Sequence, residues 1–147
     1  MKCSLCDASL GPIIVEGVHW RLVLNHNQNL LGKCFLATRR HEEEVRKLTE
    51  DEWLELHQQL ADTTDALVLA FHPDHFNLQN QDRHVHLHII PRYAGARTFE
   101  GTVFHDRGYP GHYEIVDSPR HLSPDDESKL ARLLGHLVGQ AEGTDLQ

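Results

Sequence analysis

His84-Val85-His86-Leu87-His88-Ile89-Ile90-Pro91-Arg92 alternates three histidines with apolar residues at a spacing of two. In a β-strand that period turns all three imidazoles to one face and packs Val85, Leu87 and Ile89 on the other. The strand therefore belongs to a sheet with one core face and one chemical face. Imidazole serves as neutral nucleophile, proton donor or metal ligand near neutral pH, so a row of three marks a site rather than a fold. The plainer alternative, a solvated strand that happens to be histidine-rich, keeps some weight because 13 of the 147 residues are histidine.

Working outward, short apolar runs and turn signals supply the rest of the sheet. Ile13 to Glu16 and Val18 to Leu24 read as a hairpin turning at Glu16-Gly17, and Lys33 to Thr38 as a third strand. Thr49-Glu50-Asp51-Glu52 has the form of a capping box. Trp53, Leu56, Leu60, Leu67 and Phe71 give the apolar stripe of a long helix that Pro73 ends. Two strands, about His75 to Gln79 and Arg83 to Ile90, follow with a very short connection. The expected fold is α+β: an antiparallel sheet of about five strands, a meander with one long crossover helix. Tyr93 to Ser118, rich in Gly, Pro, Tyr and His, reads as loop. Ser123-Pro124 then opens a C-terminal helix with Leu130, Leu133, Leu134, Leu137 and Val138 at helical spacing.

Cys3-Ser4-Leu5-Cys6 is the second informative pattern. No apolar leader follows Met1-Lys2 and no run approaches the length of a membrane span, so the expected setting is the cytoplasm, where thiols stay reduced. There a Cys-x-x-Cys pair is a metal knuckle or a redox pair more often than a disulfide. A redox pair of the thioredoxin type follows a first strand and opens a helix; no such strand is expected here, which favours zinc. A closed tetrahedral site needs two further ligands, and His41 and His84 are the leading candidates. Cys34, inside Cys34-Phe35-Leu36-Ala37, is expected to be a buried small hydrophobe. A competing arrangement makes His84, His86 and His88 three ligands of one catalytic metal, but on an unbent strand the first and third lie about 13 Å apart.

Taken together, His84-x-His86-x-His88, the segment from Gly32 to His41 and the N-terminal Cys3-x-x-Cys6 resemble the histidine triad (HIT) family of nucleotide hydrolases and transferases. The segment Gly32-Lys33-Cys34-Phe35-Leu36-Ala37-Thr38-Arg39-Arg40-His41 is similar to the family's glycine, core strand and basic turn ending in histidine. The cysteine pair is similar to that of bacterial members carrying a structural zinc. The resemblance spans about residues 1 to 97. It implies zinc held by Cys3, Cys6, His41 and His84, structural rather than catalytic because four protein ligands leave no open position. It implies His86 as the nucleophile on a nucleotide's α-phosphorus, through a covalent nucleotidyl-histidine, with His88 beside the transferring phosphoryl group. Nucleotide contacts are implied for Asn25 at the ribose, for Asn80 at a phosphate, and for Lys33, which stands where relatives often have a histidine. Val18, Leu22 and Leu24 are candidates for a base pocket, against a plainer reading as strand core.

The implied substrates are dinucleoside polyphosphates or adenosine phosphoramidates, hydrolysed or transferred by a homodimer. Residues 1–97 are then a HIT-like catalytic domain with its zinc knuckle, and 98–147 an extension with one helix packed on the same domain. The stretch Asn77 to Arg83 is shorter than the family pattern, which keeps a second expectation open: a nucleotide-binding or partner-binding module with weak turnover.

A chain of 147 residues with 39% apolar content is enough for one domain with a proper core. A net charge of −8 argues against a nucleic acid polymer as partner. The positive charge is local: Arg39, Arg40, Arg83, Arg92 and Arg97 flank the expected site strands, where an anionic ligand can be drawn.

Overall fold

Polar turns and half-apolar runs produce the hairpin where the sequence places it. In the computed structural model, which describes residues 3, 5, 6, 11–79, 83–113 and 119–145, β1 (Ile13–Glu16) pairs antiparallel with β2 (Trp20–Leu24). The second strand starts later than the apolar pattern predicts because Val18 lies in the turn, 73% exposed. β3 (Cys34–Thr38) follows. Gly32 enters it at φ +88°, where a Cβ would come within 2.7 Å of the Leu67 side chain, so both the conformation and the space require glycine. After one 3-10 turn, Val45–Lys47, comes α1 (Glu50–Phe71), whose N-terminus has the complete Thr49/Glu52 capping box. It ends at His72 in the left-handed region, φ 50°, just before Pro73.

The chain then returns as β4 (His75–Gln79) and β5 (His86–Arg92), giving the antiparallel order β1-β2-β3-β5-β4. The helical crossover carries the chain past the β5 position to the outer edge, and β5 fills the gap beside β3. β6 (Arg97–Phe99) and β7 (Thr102–Phe104) form a separate hairpin inside the stretch expected to be loop. Three residues per strand carry too short an alternation to read. α2 (Pro124–Asp145) is the C-terminal helix. Among the described residues no helix is long and apolar enough to cross a membrane.

Period-2 alternation divides the sheet as expected. Trp20, Leu22, Leu24, Cys34, Leu36, Val85 and Ile89 face a single core with Leu67 and Phe71 of α1 and Leu130, Leu134 and Val138 of α2. Cys34 is completely buried and its thiol is pushed up to about 12 by burial, so it packs as a hydrophobe. On α1 the expected stripe packs inward at Leu56, Leu60, Leu67 and Phe71 but is corrected at Trp53, which is 45% exposed, while Glu52, Gln59, Asp62 and Thr63 are buried on the inner face. The opposite sheet face carries a small cluster of Val23, Phe35 and Ala37, with Leu5 and Cys3 packed over it.

Candidate functional site

The metal-ligand set forms where three distant segments meet. Cys3 and Cys6 come from the N-terminal turn, His41 from the basic turn after β3, and His84 from the approach to β5; their ligand atoms all lie within 4.8 Å of one another. The Cys3 sulfur is 3.3 Å from His84 Nδ1, and the Cys6 sulfur 3.4 Å and 3.5 Å from the Nδ1 atoms of His41 and His84. Each ring is fixed from its far side: His84 Nε2–H donates to the Thr38 carbonyl at 2.7 Å, and His41 Nε2 meets Glu43 at 3.4 Å. Such outer partners select the tautomer and aim the other nitrogen at an ion. Burial, the largest influence on His84, pushes its pKa down, toward the neutral form a ligand needs.

Two residues beyond His84, where β5 begins, the geometry is different. His86 is 5% exposed and donates from Nδ1 to the His84 carbonyl at 2.7 Å. That leaves the lone pair on Nε2, which lies 3.1 Å from His88 Nε2. The alternation thus puts both rings on the face of Phe35, whose ring centroid is 6.1 Å from that of His86 and 5.5 Å from that of His88. His88 is half-buried and held down to about 4, first by burial, then by the charges of His86 and Lys33. A neutral His88 can donate a hydrogen bond, to His86 or to an oxygen placed between them. His84 faces the sulfur atoms and Thr38 rather than His86 and His88, which speaks against the competing arrangement of three histidines on one catalytic metal.

The remaining candidates gather at the other end of this face. Asn25 follows β2 on the side of Val23, and its N–H donates to the Lys33 carbonyl at 3.1 Å. Its side-chain Oδ1 is buried and meets no partner among the described residues. Lys33 is 6% exposed; its ammonium donates to Asn29 Oδ1 at 2.8 Å and to the Tyr113 hydroxyl at 3.1 Å. The loop between them is built around Gln28, fully buried, which donates to the Asn25 and Lys33 carbonyls at 2.8 and 2.7 Å and accepts from Gly32 N–H at 2.8 Å. The Tyr113 ring stands within 5.6 Å of the Lys33 ammonium and 5.9 Å of the Arg92 guanidinium. Arg92 is anchored by a buried pair with Asp106 at 2.6 Å and by bonds to Asn77 and the Gly111 carbonyl.

Asn80 lies outside the described residues, and no placement is given for it. The base-pocket candidates are corrected: Leu22 and Leu24 are 0% exposed in the core behind the sheet, and Val18 sits in the exposed turn. Sequence reasoning missed Gln28, Asn29 and Tyr113. Tyr113 lies 80 residues from Lys33 in a stretch without periodicity, so nothing short-range signals it. Of the flanking arginines, Arg39 pairs with Glu16, Arg40 with Glu42 and Glu52, Arg92 with Asp106 and Arg97 with Asp74.

No family model matches the chain, and no curated protein does. Solved structures do. A histidine triad protein from Marinobacter aquaeolei VT8 superposes with a TM-score of 0.75 over 95% of this chain and 96% of that one, at 17% identity. A histidine triad protein from Bradyrhizobium japonicum gives 0.74 over 94% and 96%, at 18% identity. A zinc-bound histidine triad family protein from Mycobacterium smegmatis gives 0.64 over 98% of both chains, at 18% identity. A five-stranded antiparallel sheet in the order found here, crossed by one long helix and closed by a second, with a row of alternating histidines beside its centre, is the histidine triad fold.

Proposed function

We propose that the chain is a histidine triad enzyme that hydrolyses or transfers a nucleoside monophosphate, through a covalent nucleotidyl intermediate on His86. The observation that carries this reading is the orientation of one ring. With Nδ1–H given to the His84 carbonyl, the Nε2 lone pair faces open chemistry at 3.1 Å from a neutral hydrogen-bond donor, His88. Attack by Nε2 on an α-phosphorus forms an N–P bond while the bond to the leaving group breaks, and His88 donates to an oxygen of the phosphoryl group. Asn25, with its unsatisfied buried amide oxygen, suits a ribose hydroxyl; Lys33 and Asn80 complete the nucleotide contacts. The substrates that fit are dinucleoside polyphosphates or adenosine phosphoramidates.

The resident metal that fits the ligand set is zinc. Tetrahedral bonds of about 2.3 Å to sulfur and about 2.0 Å to nitrogen place sulfur and nitrogen roughly 3.5 Å apart, which matches the 3.3 to 3.5 Å separations here. Cys3, Cys6, His41 and His84 would hold it, and its contribution is to fix the N-terminus and the start of β5. The chemistry belongs to residues 1–97, with 98–147 packed on the same domain and Tyr113 reaching the site. A cytoplasmic homodimer completes the reading.

Intact-mass measurement after rapid alkaline quench, with adenylyl and guanylyl donors, tests it. A nucleotidyl adduct is expected in the wild type and absent in His86→Ala. Nucleotide binding by calorimetry without adduct or turnover would instead identify a binding module on this fold.

A further inference from the structure

Lys33 is a candidate cation on the triad face that has no counter-charge among the described residues. Of the five flanking arginines, Arg39, Arg40, Arg92 and Arg97 are each paired with a carboxylate. Lys33 has only neutral acceptors, Asn29 and Tyr113, and among the described residues no carboxylate pairs with it. Asp106, the carboxylate near the Tyr113 wall, is taken up by Arg92. Burying an ammonium at 6% exposure without an anion is unfavourable, and a ligand anion relieves that cost. The loop around Gln28 and the ring of Tyr113 hold the cation in place in advance, which is what recognition of developing charge demands.

Resting on the nucleotidyl-histidine reading, we propose that Lys33, oriented by Asn29 and Tyr113, receives the negative charge of the departing group and makes the site select phosphoanhydride donors over phosphoramidates. When His86 Nε2 displaces an anhydride, the bridging P–O bond breaks and its electron pair stays on the departing phosphate oxygen, which needs no proton at neutral pH. A nearby ammonium stabilises that oxygen directly. When Nε2 displaces a phosphoramidate, the P–N bond breaks and the departing nitrogen must gain a proton. The nearest imidazole, His88, is neutral at that pH, and the Lys33 charge helps to keep it so. One cation thus favours the first substrate and hinders the second.

The test compares kcat/KM for diadenosine tetraphosphate and adenosine phosphoramidate in wild type, Lys33→Met and Lys33→Arg. The anhydride-to-phosphoramidate ratio is expected to fall at least about tenfold in Lys33→Met and to recover most of that loss in Lys33→Arg. A ratio unchanged by Lys33→Met overturns the proposal even if both rates drop, because a general loss of fold or nucleophile lowers both alike. Should Lys33→Met not fold, Tyr113→Phe decides: a ratio lowered about threefold supports the assignment, and an unchanged ratio overturns it. A His86 adduct that forms from both donors with no dependence on Lys33 removes this inference alone. Absence of any adduct in the wild type removes the enzyme reading and this inference with it.

Discussion

Glu52 is 2% exposed, and Arg40 donates to both of its oxygens at 2.9 Å while Thr49 N–H donates to Oε1 at 2.8 Å. The Arg40 hydrogen bonds, opposed by burial and helped by Thr49, hold its carboxyl down to about 2. A carboxylate whose pKa is lowered on folding contributes stability that is fully present above the unfolded value, about 4.3, and is lost as the pH falls through 2. Glu52→Gln keeps the capping-box geometry but removes the charge. Urea melts should therefore show the variant less stable than wild type at neutral pH, with the gap closing between about pH 4.5 and 2; a constant gap would contradict the linkage. At this scale the residues that come together in the candidate site were legible because each follows a local rule. Histidines at spacing two share a strand face, and a cysteine pair at spacing three makes a knuckle. Gln28, Asn29 and Tyr113 follow no such rule; the contacts of Asn29 and Lys33 with Tyr113 exist only once residues 80 or more apart are folded together.

Among the elements, boundaries were legible where capping or proline chemistry fixes them: Thr49 opens α1 and Pro73 follows its end, and β4 has the limits its residues predict. The stripe of α1 was legible at Leu56, Leu60, Leu67 and Phe71 but not at Trp53, because the inner face also takes in polar groups, Glu52, Gln59, Asp62 and Thr63. That mixture frees apolar residues for the outside. Trp53, Leu54, Val68 and Leu69 are 45, 62, 43 and 60% exposed, and Leu78 on the edge strand β4 is 48% exposed. Leu54, Ala61 and Val68 recur every seven residues along one side of the helix, and exposed apolar surface of this kind marks an association site. The proposed homodimer would use α1 and the edge strand β4 as its interface. Light scattering should give twice the 16.8 kDa chain mass, and Leu54→Glu with Val68→Glu should return it to one chain mass. A wild type that scatters as a single chain at micromolar concentration would falsify the pairing.

Across the whole molecule, the four candidate metal ligands are spread over 81 positions, yet their ligand atoms all lie within 4.8 Å of one another. An ion there closes two long loops, from the N-terminus to His41 and from His41 to His84, and constrains the unfolded chain more than the folded one. It would also lie just before the proposed chemistry: His84, on the approach to β5, accepts a hydrogen bond from His86 Nδ1–H at its carbonyl, so a residue placed to ligate the ion also fixes the tautomer of the proposed nucleophile. The sheet, by contrast, is held by a core on its other face, built from β2, β3, β5 and both helices, which includes none of the four candidate ligands. Removal of the metal should therefore loosen the N-terminal knuckle and lower the melting temperature without abolishing the fold. A loss of about 4 kcal/mol in a domain of this size corresponds to a drop of roughly 10–15 °C. Chelation followed by gel filtration and calorimetry should show that drop with restoration by one equivalent of zinc. Below the lowered melting point the metal-free protein should still form the His86 adduct, more slowly. Immediate and complete loss of adduct in a chain that remains folded would move the ion from a structural to a catalytic role and overturn this division between the two sites.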